Sequence, residues 1–471
     1  MPQASGSIAE LLAALDGAIA IRDGGVEVQD EAALRGPVVD RLATDAAFGQ
    51  ADVQEAARWL LWATAQAVGL YPASIHDLYM AAGRFEYDHA TTPAINVRGM
   101  AYDFARTVIR TAQEKGTKHF IFEIARSEMG YTDQKPAEFS AVMLAAGLRE
   151  GYRGPLFIQG DHQQINAKKY GQGAEAELAG LRKLVDESLA AGFYNIDIDA
   201  STLVDLSKPT EAERQELNYR HTAEMTAYIR QHEPAGVTVS VGGEIGEVGG
   251  KDSTPEDLEA FMSGYIPALR SLAGDQPGIS KISVQTGTSH GGVVLPDGSI
   301  ADVSLNLQAL GELSEVARKR YGMGGAVQHG ASTLPEEAFH HFRERSAVEV
   351  HLATAFQNII YDDLPEDVKQ EIYKYLAANH ADERKPNMTD AQFYYTTRKR
   401  GLGPFKAQLW DLPGDVKATI TGHLAERFAL LFDELGVSGN AGLVERYVKP
   451  VPVSRPMPAA LRDAVPAPAD D

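Results

Sequence analysis

Residues 154–161 read GPLFIQGD, and His162 follows at once. Leu156, Phe157 and Ile158 form the apolar run of a buried strand, and Gln159, Gly160 and Asp161 change its character at the tip. An Asp–His pair in that place is either a polar turn or part of a site, and the pair alone does not decide. The surrounding pattern carries more. Seven other short β-rich runs occur: TTPAINVR (91–98), KHFIFEIA (118–125), YNIDIDA (194–200), TVSVGGEIG (238–246), KISVQTG (281–287), GAVQHG (325–330) and VEVHLAT (348–354). Longer helical stretches separate them. MAYDFARTVIRTAQEKG and EAELAGLRKLVDESLAAG each end in a glycine placed to cap a helix. Eight strand–helix alternations in one stretch of chain predict an α/β fold, a (β/α)8 TIM barrel. A doubly wound sheet is the alternative, disfavoured because no Gly-rich dinucleotide loop follows the first strand.

The barrel is expected over residues 91–362. Residues 1–90 read as a helical extension, 363–448 as a second helical extension, and 449–471 as a Pro/Ala-rich tail, extended or flexible. With 471 residues, 44% hydrophobic and 23% charged, the chain can bury a large core. It has no cysteine, which excludes disulfides and thiolate chemistry and leaves His, Asp and Glu as metal ligands. A net charge of -21 argues against nucleic acid or an anionic membrane as partner. No apolar run of about 18 residues or more suggests a membrane span, and the N-terminus lacks the basic start of a signal peptide. The expected location is cytoplasmic.

In such barrels the chemistry sits at the C-terminal ends of the strands. Here those ends carry Asn96, Ser127, Asp161 with His162, Asp199, Glu244, His290, His329 with Ser332, and His351 with Thr354. His162, His290 and His329 occupy corresponding positions on the third, sixth and seventh strands. Three histidines at one mouth suit a catalytic zinc with an open coordination position. His340 and His341, on a probable helix, read as surface or packing residues. TGTSHGG and VQHGAS place glycines beside two of the histidines, where backbone N–H groups can approach a phosphate.

These residues resemble the class II, metal-dependent fructose-bisphosphate aldolases, with a match in order from about 90 to 410. PAIN is similar to the family's first-strand motif, EIARSEMG to the second-strand segment with a phosphate-contacting serine, and GDH to the catalytic Asp with the first zinc His. IDIDAS, GEIGEVGGKD, TGTSHGG and QHGAS follow in family order, and TTRKRGLGPFK (396–406) resembles the segment after the barrel. The resemblance implies cleavage and condensation of a ketose 1,6-bisphosphate, above all fructose 1,6-bisphosphate to dihydroxyacetone phosphate and glyceraldehyde 3-phosphate. Zinc, or another divalent metal, on His162, His290 and His329 would polarise the ketone and stabilise an enediolate, with Glu244 and Asp199 shaping or binding an alternate metal position. A monovalent cation is left open. Asp161 would be the acid/base at the C4 hydroxyl. The loop residue that moves the other proton maps to Asp252, with Glu247 as rival. Asn96, Ser127, Gly291, Gly330, Ser332 and Thr354 would contact substrate and phosphate. Family members are usually homodimers or homotetramers.

The eighth strand departs from the family. EVHLATA keeps only Thr354 of the usual Lys–x–Asn–x–Asp–Thr–Asp and introduces His351, which either contacts the substrate or packs beneath the site. HGAS stands for His-Gly-Gly-Ser, and Gly242 replaces a common acid. The departures leave three alternatives: a tagatose-bisphosphate or other sugar-phosphate aldolase, a non-catalytic aldolase-like accessory subunit, or a barrel enzyme of the same metal with a non-aldol reaction.

Overall fold

A computed structural model describes residues 2–22, 24–246, 251–287, 295–296, 305–331 and 334–465. Eleven strands are numbered in chain order. β1 (Ile19–Arg22) and β2 (Gly25–Val28) form an antiparallel hairpin. β3 (Leu70–Ala73), β4 (Thr92–Asn96), β5 (Ile121–Ala125), β6 (Gly154–Gln164), β7 (Asn195–Asp199), β8 (Ser240–Glu244), β9 (Lys281–Val284), β10 (Ala326–Gln328) and β11 (Glu349–Leu352) form one parallel sheet. β4 to β11 follow one another around that sheet, and β11 pairs back onto β4, with His351 opposite Ala94. The result is a closed eight-stranded barrel with helices outside it. Seven of the strands lie within the runs read from the sequence, and β6 overruns its run of 154–161 by three residues, to Gln164.

The expected helical caps appear. Helix Ala174–Ala191 ends at Gly192, whose φ of 89° is the left-handed cap a glycine supplies. Helix Pro255–Ala273 starts with a capping box in which Thr254 and Asp257 satisfy each other's backbone N–H groups. Among the described residues no helix is long and apolar enough to cross a membrane.

The N-terminal region departs from the all-helical expectation. It contributes the hairpin and also β3, which lies against the lower half of β6, Leu70 opposite Gly154 and Ala73 opposite Phe157. The upper half of β6, Gln159 to Gln164, pairs with β7 instead. Asn195 fills the fork between the two. Its amide donates to Ala73 O at 3.1 Å and Ile158 O at 3.0 Å, and its carbonyl oxygen accepts from Ile75 N at 2.9 Å. Pro72 fits such a strand because it donates no ladder hydrogen bond.

The segment after the barrel is helical. Its long helix, Gly414–Glu434, lies against the barrel helix Ala101–Glu114, with Phe428 edge-on to Phe104 at 5.2 Å. The tail is extended but pinned. Trp62 Nε1 donates to Val453 O at 2.8 Å, Val453 N donates to Gln66 Oε1 at 2.9 Å, and the Arg455 guanidinium sits 3.1 Å over the Trp62 ring. Leu461, on the short helix Ala459–Ala464, is fully buried.

Candidate active site

GDHQQ solves a geometric problem. Successive residues of a strand face opposite sides, so Asp161 and His162 could not both look into the mouth of a regular barrel. Between Gly160 and Gln163 the register of β6 on β7 shifts, a β-bulge, and His162 takes a φ of +38°. Bulges re-aim side chains next to active sites in this way. The backbone strain is of the kind held only where neighbours over-determine it. Here His162 Nδ1 faces Glu244 at 3.0 Å and Asp199 at 3.3 Å, while Nε2 lies 2.9 Å from His329 Nδ1. Asp199 is itself held by Ser201 and Gln164.

Burial would lower the basicity of His162, but the carboxylates of Asp161, Glu244 and Asp199 outweigh it and hold its pKa well above the ordinary value. Asp199 is the mirror case. Burial works to raise its pKa, yet bonds to His162, Ser201 and Gln164 leave it below the usual range. His162 thus lies in a nest of carboxylates and imidazoles that favours positive charge at this point.

Asp161 lies beside this nest, 5% exposed. Its Oδ2 accepts from Asn96 Nδ2 at 3.3 Å and its Oδ1 from His351 Nδ1 at 3.1 Å. Above it opens a cavity of about 740 Å³, whose wall includes Ser127, Gly330, His351 and Thr354. Ser127 is on the first turn of helix Arg126–Thr132 and Thr354 opens helix Thr354–Asp363. Gly330 has a φ of +71°, a conformation that favours glycine.

His290, Gly291, Glu247 and Ser332 lie outside the described residues. Asp252 lies apart from the cavity wall, in a minor cleft beside Ile245 and Asp257, where it accepts a hydrogen bond from Asn306 at 2.6 Å. His340 and His341 are on an outer helix facing Glu344 and Glu434.

The cavity also gathers cations that strand-end reading passed over. Arg98 follows β4 and pairs with Glu128 at 2.5 Å, and Arg126 pairs with Glu177 at 2.6 Å. Lys169 joins them from the short helix Ala167–Gln172 after β6, and Lys399 from the segment after the barrel. Burial, with Arg98 and Arg400 nearby, lowers the Lys399 pKa, and its amine lies 5.9 Å over the Tyr131 ring. The basic cluster RKR at 398–400 was the signal in the sequence for this contribution.

Residues 81–398, about two thirds of the chain, match the family described as fructose-bisphosphate aldolase class-II. The chain belongs to that family. No curated protein matches the sequence significantly. Among solved structures, a class II aldolase-like chain of this size resembles a probable tagatose 6 phosphate kinase of Sinorhizobium meliloti at 15% identity and TM-score 0.53, covering 76% of this chain and 99% of that one. It also resembles the fructuronate-tagaturonate epimerase UxaE of Cohnella laeviribosi at 13% identity and TM-score 0.51, covering 78% and 83%. The YdjI aldolase of Escherichia coli matches at 15% identity and TM-score 0.47, covering 78% and 99%. At these identities the likeness to the first two is one of fold.

The donor set of this class II aldolase family member fits a divalent metal. Asp161, His162 and His329 bring ligand atoms within 4.8 Å of one another, as do His162, Asp199 and Glu244. Nitrogen and carboxylate oxygen donors without thiolate suit zinc, with other divalent metals compatible.

Proposed function

We propose that this chain is a metal-dependent aldolase that cleaves and re-forms a carbon–carbon bond of a phosphorylated ketose, with a ketose 1,6-bisphosphate as substrate and fructose 1,6-bisphosphate as the first candidate. The observation that carries the reading is the meeting of Asp161, His162 and His329 beneath a cavity rimmed by cations. A divalent metal bound by His162 and His329, and by His290 in the family's pattern, would supply a Lewis acid for the substrate carbonyl.

The chain's own groups then divide the work. Asp161 takes the proton of the C4 hydroxyl as the C3–C4 bond breaks, leaving the electron pair on the carbon adjacent to the carbonyl. In the condensation direction it returns that proton to the aldehyde oxygen. Asn96 bonds the carboxylate and holds it beside the C4 position. Protonation of C3 completes cleavage and is assigned to the loop after β8, with Glu247 as donor, or Asp252 once it leaves Asn306 and swings to the cavity. Ser127, Gly330 and Thr354 bind phosphate at the rim, with Gly291 and Ser332 as further contacts. Arg98, Arg126, Lys169 and Lys399 oppose the repulsion that a chain of net charge -21 would exert on a bisphosphate.

The test is a panel of ketose mono- and bisphosphates, assayed for retro-aldol products after chelation and again after zinc is restored. Cleavage that disappears with chelation and returns with zinc supports the reading. A fully zinc-loaded protein that cleaves none of them refutes it. Product analysis on the same panel separates an epimerase or isomerase, which would return a six-carbon product.

A further inference from the structure

Asp161 reaches the mouth on top of a bonded stack of polar side chains inside the barrel. His351 lies directly beneath it, buried, with its two ring nitrogens facing carboxylates on both sides. Nδ1 lies 3.1 Å from Asp161 Oδ1 and at the same distance from Glu123 Oε2, and Nε2 lies 2.6 Å from Glu349 Oε1. Glu349 is fixed in turn. Its Oε1 also accepts from Lys281 Nζ at 2.6 Å and Gln159 Nε2 at 2.8 Å, and its Oε2 accepts from the Tyr79 hydroxyl. Lys281 Nζ donates to Gln159 Oε1 at 2.7 Å and lies 3.0 Å from Asp197. The imidazole is therefore gripped from below by side chains of β6, β7, β9 and β11.

Gly242 makes room for this layer. A Cβ there would stand 2.3 Å from Asp197 Oδ1 and 3.0 Å from Lys281 Cε. The absence of a side chain at 242 and the charged pair beside it are thus one arrangement. Through His351 the network bonds to the proposed acid/base at Asp161 Oδ1.

We infer that His351 is a positioning residue, which fixes the Asp161 carboxylate toward the cavity through Nδ1 while Glu349 and Lys281 hold the ring from behind. The inference rests on Asp161 being the acid/base of the proposed reaction. His351 acts through Asp161 and need not touch the substrate.

Two substitutions separate the two ring nitrogens. Asn at this position presents an amide N–H near the place of Nδ1, and Gln reaches the place of Nε2. Positioning predicts that His351→Asn keeps kcat for retro-aldol cleavage within about 5-fold of wild type, whereas His351→Gln loses about 10²-fold in kcat with KM little changed, the scale expected for a misplaced catalytic group. In an Asp161→Asn background, His351→Gln should cause no further loss. Equal impairment of the Asn and Gln variants, a rise in KM with kcat intact, or an undiminished loss in the Asp161→Asn background would each overturn the inference. Zinc content and thermal melting report whether each variant is folded. If His351→Gln fails to fold, His351→Asn decides alone: retained kcat supports positioning and a lost one overturns it. If the wild-type protein cleaves no ketose phosphate, the proposed reaction fails separately. Crystal structures of wild type and His351→Gln then decide the positioning, since an Asp161 carboxylate rotated off the cavity supports it and an unmoved one overturns it.

Discussion

Two buried imidazoles of this barrel have opposite fates. His119, near the floor, is fully buried, and His351, beneath the mouth, is 5% exposed. His119 meets a hydroxyl and an amide. Asn440 Nδ2 donates to its Nδ1 at 3.0 Å, so Nε2 carries the proton and donates to Thr92 Oγ1 at 2.7 Å. Burial pushes the His119 pKa down to about 3. His351 is subject to the same burial, but Glu123 and Asp161 hold its pKa well above the ordinary value. Depth is nearly equal, and the partners decide the charge. At the floor, His119 is a neutral imidazole bonded at both ring nitrogens. The mouth is a charged assembly kept in place by its own counter-charges.

That contrast can be broken at four points, in decreasing order of expected effect. Asp161→Asn should lower kcat by about 10²–10⁴-fold, the usual worth of a general acid/base, while zinc content and melting temperature stay near wild type. A variant that melts early or loses zinc would show that the mouth is built for stability and not for chemistry. Lys281→Met should cost about 3–5 kcal/mol in urea unfolding, because Glu349 and Asp197 would stay buried without their cation. A cost below about 1 kcal/mol would mean that the layer is dispensable.

The third point is pH. His119 is held neutral when folded and titrates near 6.5 when unfolded, so between these values the unfolded chain binds the extra proton. Stability from this group is full above pH 6.5 and falls with pH down to about 3. At pH 5 the loss should be about 2 kcal/mol, from roughly 1.4 kcal/mol per unit of pKa difference. His76, lowered to about 4 by burial and Arg230, adds in the same direction. Urea midpoints at pH 7 and pH 5 measure the slope, and His119→Gln should flatten it. An unchanged slope would place the acid sensitivity elsewhere. Smallest is Arg455→Ala, which removes the cation over Trp62 and should cost about 1 kcal/mol in thermal unfolding.

Much of this was legible in the residues. Eight strands could be read because parallel strands buried on both faces give short apolar runs bounded by turns, and their C-terminal ends named Asp161, His162 and His329 together. β3 was not legible. LYPA is four residues long with a proline inside, too short for any periodicity, and only the lower half of β6 makes it a strand. The docked tail depends on Trp62 and Gln66, nearly four hundred residues away. The polar layer did leave a signal in the sequence. Glu123, Gln159, Asp197, Lys281 and Glu349 set polar side chains on buried barrel strands, which burial tolerates where opposite charges and hydrogen bonds meet them. Their pairing, and the role of His351 within it, follow from barrel closure and not from spacing.

The strand Leu70–Ala73 carries one more consequence. A chain cut back to residue 90, the boundary drawn from the helical pattern, would leave Gly154 to Phe157 of β6 without the neighbour found here. Those residues would become a bare template of N–H and C=O groups, an edge at which proteins pair with strangers. β3 is thus an added ninth strand of the sheet, and trimming what precedes β4 would leave the barrel closed but bare a four-residue edge on its wall.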